Sequence, residues 1–405
     1  MRKFSFFFLI LALLIFFQIL HPQNIDIDEL KRKVSEIGKL PFIKDVPLKE
    51  IDKNYLENFL ESYFRKEYPE DKAEREERLL RFLGLWNIDR KLNSLRKEVL
   101  FNQVVAFYDE KDSKSIYYIS FKKAPFSDLN SMVLAHELRH AIQDQHFNIG
   151  KYFYGLSDFD DRGLAVLSVI EGDANLLMLQ FAGIEPSLFI SFSEKMPLAN
   201  LNLTPDSQNI PLILKNSFIF PYFSGMKFVY EIFKRGGWEE INRVLGSLPS
   251  STEQIIHPEK FLEIRDEPSD LKSFYSPGSG WKLSLSFVGG EFFVSTLLEN
   301  FNINERKTAS EGWGNDVLNF WEKGDGKFIH WATKWDSSKD AMEFLIAVKS
   351  YLQKIGFEEK EEGKYYALFS KPDERALISF SREGVEFFKS NDKILIEKIL
   401  KERKE

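Results

Sequence analysis

The stretch Val133-Leu134-Ala135-His136-Glu137-Leu138-Arg139-His140-Ala141-Ile142-Gln143-Asp144-Gln145-His146-Phe147 sets the pattern H-E-x-x-H inside an apolar, helix-periodic run. On a helix, residues four apart lie about 40° apart around the axis and one turn along it. His136 and His140 can therefore direct two imidazoles to one metal ion, at about 2.0–2.1 Å each. Glu137, on the neighbouring face, can take a proton from a water on that ion and pass it to a leaving amine. These residue types point to zinc (Zn2+) and to hydrolysis.

A catalytic zinc takes a third protein ligand and keeps one position open. Two residues compete for the third place. His146 has the spacing of H-E-x-x-H-x-x-G-x-x-H, but that pattern turns at a glycine, and Gln143 stands there. A helix continuing through Gln143 would carry His146 about 9 Å past His140, at about 1.5 Å per residue. Glu171 is the favoured ligand, in Ser168-Val169-Ile170-Glu171-Gly172-Asp173-Ala174-Asn175 on a second helix. A lone carboxylate on such an apolar helix is costly unless paired or metal-bound. Asp144, Asp173 and Asn175 are candidates to hold the ligand rings from behind. His257 and Tyr222 are candidates to stabilise an oxyanion.

The rest of the composition narrows the chemistry. With no cysteine among 405 residues, disulfides, thiolate metal sites, a thiol nucleophile and a lipidated cysteine are excluded. A metal must be held by carboxylates and by the chain's six histidines. The net charge of -7 comes from short mixed-sign patches without a basic stripe, so a nucleic-acid partner is not supported. The 39 phenylalanines favour large buried cores.

At the N-terminus, Arg2 and Lys3 precede an apolar run over residues 4–20. Its length is at the lower limit, roughly 17 residues, for spanning a bilayer. No small-x-small cleavage pattern follows, which favours an uncleaved anchor over a removed signal peptide. Positive charge before the run keeps that end cytoplasmic and places the body outside. The expected protein is exported, either through a single-pass membrane anchor or by secretion.

Periodicity predicts a helix-rich α+β fold. Residues 1–22 form the signal or anchor, and 23–101 a helical region with helices over 52–66 and 70–83. The catalytic domain is expected over 102–270. It opens with a hairpin of 104–108 and 116–119, followed by helices from 127 to about 144 and over 162–181. Pro197, Pro205, Pro211 and Pro221 punctuate a looser stretch, and a helix over 225–234 stops at Gly236-Gly237. Residues 271–405 form a small α+β domain, with strands over 281–287, 327–335, 365–370, 376–381 and 385–389 and a helix over 338–355.

Several segments together resemble a family. His136-Glu137-Leu138-Arg139-His140, Glu171-Gly172-Asp173-Ala174, Pro221-Tyr222-Phe223-Ser224-Gly225, Ser251-Thr252-Glu253-Gln254-Ile255-Ile256-His257 and Gly312-Trp313-Gly314-Asn315-Asp316 are similar to exported prokaryotic zincins of the gluzincin type. The resemblance spans about residues 104–344. It implies a zincin-like metallopeptidase fold, with a small sheet before the active-site helix and a glutamate helix after it. It implies His136, His140 and Glu171 as zinc ligands, Glu137 as base, and a peptide or protein substrate lying near the hairpin, where an edge strand can pair with it. Better-known gluzincins have an Asp four residues after the ligand Glu, where this chain has Asn175.

Overall fold

The architecture comes from a computed structural model that describes residues 6–7, 26–111, 113–119, 127–153, 160–195, 203, 210–271, 273–382 and 384–404. Apart from Phe6–Phe7, the N-terminal apolar run lies outside these residues. So do His21, Pro197 and Pro205.

Charged amphipathic segments become α1 (Ile27–Gly38), α2 (Lys53–Glu67), α3 (Glu70–Phe82) and α4 (Leu92–Gln103). Asp52 starts α2 by accepting the Tyr55 backbone N–H at 2.8 Å. Pro69 precedes α3, where its missing N–H costs nothing. This region is woven into the rest of the molecule. Leu30 and Val34 of α1 enter the main core, and Leu48–Ile51 forms β2 of the small sheet.

The expected hairpin is present as β3 (Ala106–Tyr108) and β4 (Ile116–Ile119), paired antiparallel. β2 pairs with β4 in parallel, and β1 (Phe6–Phe7) pairs with β3. The order is β1-β3-β4-β2. Both sides of the hairpin thus have strand partners.

α5 (Ser127–Phe147) packs against β3 and is buried from Met132 to Asp144. α6 (Asp161–Phe181) lies beside it, followed by α7 (Pro186–Lys195) and α8 (Leu212–Leu245). Among the described residues, α6 alone is long and apolar enough to cross a membrane, and 83% of that stretch is buried within the protein. α8 crosses α6 at two glycines. A Cβ on Gly172 would stand 2.3 Å from the Gly225 carbonyl carbon, and one on Gly225 would stand 2.0 Å from the Ser168 oxygen. Only hydrogen fits at this crossing.

Pro221, expected to break the chain, lies inside α8. The bend comes later, at Gly236–Gly237, where Gly237 has φ +64°. An interior proline costs a helix about 3 kcal/mol. The buried run from Ile219 to Phe223 offsets that at roughly 25 cal/mol per Å² of apolar surface.

The chain continues through α9 (Thr252–Ile256) and a π-helical turn (Lys260–Ile264). The C-terminal part is a seven-stranded antiparallel sheet of order β5-β6-β7-β11-β10-β9-β8. Its strands are β5 (Lys282–Phe287), β6 (Trp313–Lys323), β7 (Gly326–Trp335), β8 (Glu358–Glu362), β9 (Tyr366–Lys371), β10 (Glu374–Phe380) and β11 (Gly384–Ser390). Three helices accompany it: α10 (Gly290–Asn300), α11 (Ser338–Lys354) and α12 (Lys393–Lys404). The main core is one cluster from Leu30 to Phe387, continuous across residue 270.

Candidate metal centre

The side-by-side packing of α5 and α6 brings His136, His140 and Glu171 together. The two Nε2 atoms are 3.0 Å apart. Glu171 Oε2 lies 3.3 Å from that of His136 and 3.6 Å from that of His140. All three side chains are buried. Donors bound tetrahedrally at about 2.0–2.1 Å stand about 3.3 Å from one another. The donor set and its spacing therefore fit a zinc-sized cation.

Electrostatics supports the same fit. Burial pushes His136 down to about 4. Burial also opposes charge on His140 and Glu171, yet each holds the other ionised, with His140 raised to about 9 and Glu171 lowered to about 2. In the absence of a cation the group thus carries one proton shared between His140 and Glu171.

Glu137 is buried as well, close enough for its charge to act on His140 and Glu171. Its Oε2 accepts the Tyr108 backbone N–H of β3 at 2.8 Å, while its Oε1 is buried with no hydrogen-bond partner among the described residues. Burial raises its pKa to about 8. A carboxylate held by one oxygen and open at the other is arranged to accept a proton.

Gln143, noted in the sequence only as a missing glycine, orients His140. Its Oε1 faces His140 Nδ1 at 2.8 Å. Its Nε2 donates to the Ile170 carbonyl at 3.0 Å and to Asp173 Oδ2 at 2.5 Å. The amide thus accepts from Nδ1–H, which leaves the His140 Nε2 lone pair for a metal. Asp173 is in turn fixed by Arg139, whose Nε donates to Oδ1 at 3.1 Å and Oδ2 at 2.9 Å. Arg139 also donates to Asn242 and to the Gly38 carbonyl. Gln143 lies three residues past His140 on one helix face, so its position was legible. The Arg139–Asp173 pair joins two helices and had no local signal.

The other expected residues divide. Asn175 lies beside His136 and favours its protonated form; its Nδ2 also faces the Tyr222 carbonyl at 3.4 Å. Tyr222 thus places its main-chain carbonyl beside Asn175. Asp144 does not support His140: it accepts from Tyr108 Oη at 3.0 Å and Lys114 Nζ at 2.7 Å, tying the hairpin to α5. His146, the alternative third ligand, faces the Pro41 carbonyl at 2.7 Å at the far end of the helix.

His257, expected as an oxyanion donor, faces Glu291 Oε1 at 3.1 Å on α10. No interaction among the described residues links it to the His136–His140–Glu171 group. Its segment is a clasp instead. Thr252 donates through N and Oγ1 to Asp161 at the start of α6, and accepts from the Phe292 N–H at 3.1 Å. Lys260 faces Glu253, Asp266 and Asp336 at 2.6, 2.8 and 2.7 Å, so this second acidic group holds a lysine ammonium. Asp316 accepts from the Gly289 and Gly290 N–H groups and from the indoles of Trp313 and Trp331. These motifs dock the C-terminal sheet on the helix carrying Glu171.

Residues 285–388, from within β5 to within β11, match a family described as a domain of unknown function, DUF8575. The matched stretch excludes α5 and α6. No curated protein and no solved structure matches the chain.

Proposed function

We propose that this chain is a zincin-like zinc metallopeptidase that hydrolyses peptide bonds. The observation that carries the reading is the meeting of His136 Nε2, His140 Nε2 and Glu171 Oε2 beside the unpartnered Oε1 of Glu137. When bound, zinc supplies Lewis-acid polarisation and lowers the pKa of a bound water to about 7. His136, His140 and Glu171 hold the ion. Gln143 keeps His140 in the tautomer that presents Nε2, and Asn175 braces His136. Glu137 receives a proton at Oε1 and returns it to the leaving amine, while the Tyr108 N–H keeps Oε2 in place. The charges of Arg2 and Lys3 and the apolar run behind them support an extracytoplasmic location, anchored or secreted.

Glu137→Gln tests this reading. The variant should retain zinc at wild-type stoichiometry by elemental analysis and lose cleavage of a peptide library. Equal cleavage by variant and wild type overturns the assignment. Wild-type protein that carries zinc yet cleaves nothing in the library favours a non-catalytic zincin-like binding scaffold, a reading to which the complete burial of the three ligands also lends weight.

A further inference from the structure

A separate cavity lies where the N-terminal helices meet the C-terminal sheet. It measures about 390 Å³ and is lined by Arg81, Phe82, Lys327, Ile355, Lys371 and Glu374. Small-molecule sites span roughly 300–1,000 Å³. It shares no residue with the metal centre.

Its charges do not balance. Arg81 is engaged by Glu77 at 2.8 Å and by the Ile88 carbonyl at 2.9 Å. Lys371 faces Glu374 at 2.8 Å. Behind the wall, Lys389 is paired to the same Glu374 and donates to the Phe82 carbonyl, each at 2.5 Å. One carboxylate thus serves two lysines. The Lys327 ammonium has no hydrogen bond or ion pair among the described residues, the residue being held through its backbone by Asn391 and Ser390. Glu322, opposite it on β6, is held by Arg78 and Ser284. The surplus reaches the interior: burial, together with repulsion from Lys371 and Lys327, pushes Lys389 down to about 8 against the pull of Glu374.

A surplus of cations beside an apolar wall is complementary to an amphipathic anion. We propose that this cavity binds a small organic anion, with a carboxylate or phosphate head at Lys327 and Lys371 and a short apolar stem against Phe82 and Ile355. Such a ligand would bridge α3 with β7 and β9.

The test is calorimetric titration of the full chain with hexanoate and with hexyl phosphate, against hexanol and against sodium chloride at matched ionic strength. Saturable binding of either anion, absent with hexanol, supports the site, and the better anion identifies the head group. Lys327→Gln should weaken that binding roughly tenfold or more, the loss of one charge-assisted contact. Lys371→Gln should act likewise, since Glu374 keeps Lys389. The Lys327 ammonium makes no hydrogen bond or close ion pair among the described residues, and Glu322 across from it keeps Arg78 and Ser284, so its variant retains the fold. The proposal is overturned if neither anion binds, if hexanol or chloride gives the same signal, or if Lys327→Gln binds as tightly as wild type.

Discussion

Gln143→Leu removes the amide behind His140 while keeping a side chain of similar length. Three contacts disappear: 2.8 Å to His140 Nδ1, 3.0 Å to the Ile170 carbonyl and 2.5 Å to Asp173 Oδ2. They are not equal losses. The Ile170 carbonyl sits inside α6 and also serves the helix's own bonding, and Asp173 Oδ2 keeps Arg139 at 2.9 Å. The cost falls on His140 Nδ1–H, buried without its acceptor, at about 1–3 kcal/mol. Losing such an orienting partner typically weakens metal binding about 10–100-fold, or about 1.4–2.7 kcal/mol. The two ranges agree, as they should if one contact sets both quantities. The assay is zinc affinity by competition with a chelator, with nitrogen–proton NMR of the imidazoles to read the His140 tautomer. Gln143→Glu is the companion, because it keeps the acceptor for Nδ1–H but sets a second carboxylate against Asp173. It should hold zinc better than the leucine variant while losing folding stability. Zinc affinity of Gln143→Leu within about threefold of wild type, with the tautomer unchanged, would refute the argument.

Gly172→Ala places a methyl 2.3 Å from the Gly225 carbonyl group, forcing α6 and α8 apart at about 1–3 kcal/mol or more; a urea midpoint giving a loss below about 0.5 kcal/mol contradicts that crossing. His257 is raised by the adjacent Glu291 carboxylate, with burial opposing. Its folded value therefore lies above the unfolded value of about 6.5, so its stabilisation is complete below about pH 6.5 and is lost as pH rises through the folded value. His257→Gln should accordingly lose more stability at about pH 6 than at about pH 8.5. Equal losses at the two pH values would show that Glu291 does not hold the imidazolium.

The meeting of His136, His140 and Glu171 was legible because its signal is local or nearly so. H-E-x-x-H fixes two imidazoles through helix geometry alone, and Gln143 in place of glycine excluded the turn that His146 would need. Glu171 stood out as a carboxylate on an apolar helix. The helix boundaries of α2, α5 and α11 followed from period and caps. Reading stopped where contacts cross the chain. Pro221 looked like a break because helix-breaking is a local property, whereas the burial that offsets it is tertiary. β8, Glu-Glu-Lys-Glu-Glu, has no alternation to mark it as a strand and gains its place by pairing with β9. His257 was read by residue type as a donor, but its role depends on Glu291, 34 residues away.

The buried polar chain behind His140 follows from the same limit. Arg139 and Asp173 are wholly buried, and breaking such a pair by removing one partner costs about 3–5 kcal/mol, whereas apolar replacements are often neutral. Stability alone therefore does not require an ion pair here. Position does. Arg139 fixes Asp173, Asp173 fixes Gln143, and Gln143 fixes the ring of His140, while Arg139 is itself anchored by Gly38 on α1 and Asn242 on α8. The ring of His140 is thus referenced to four helices at once. A displacement of any one of them reaches the imidazole through contacts that have little slack, and this gives the polar chain a reason to exist at the centre of an otherwise apolar core.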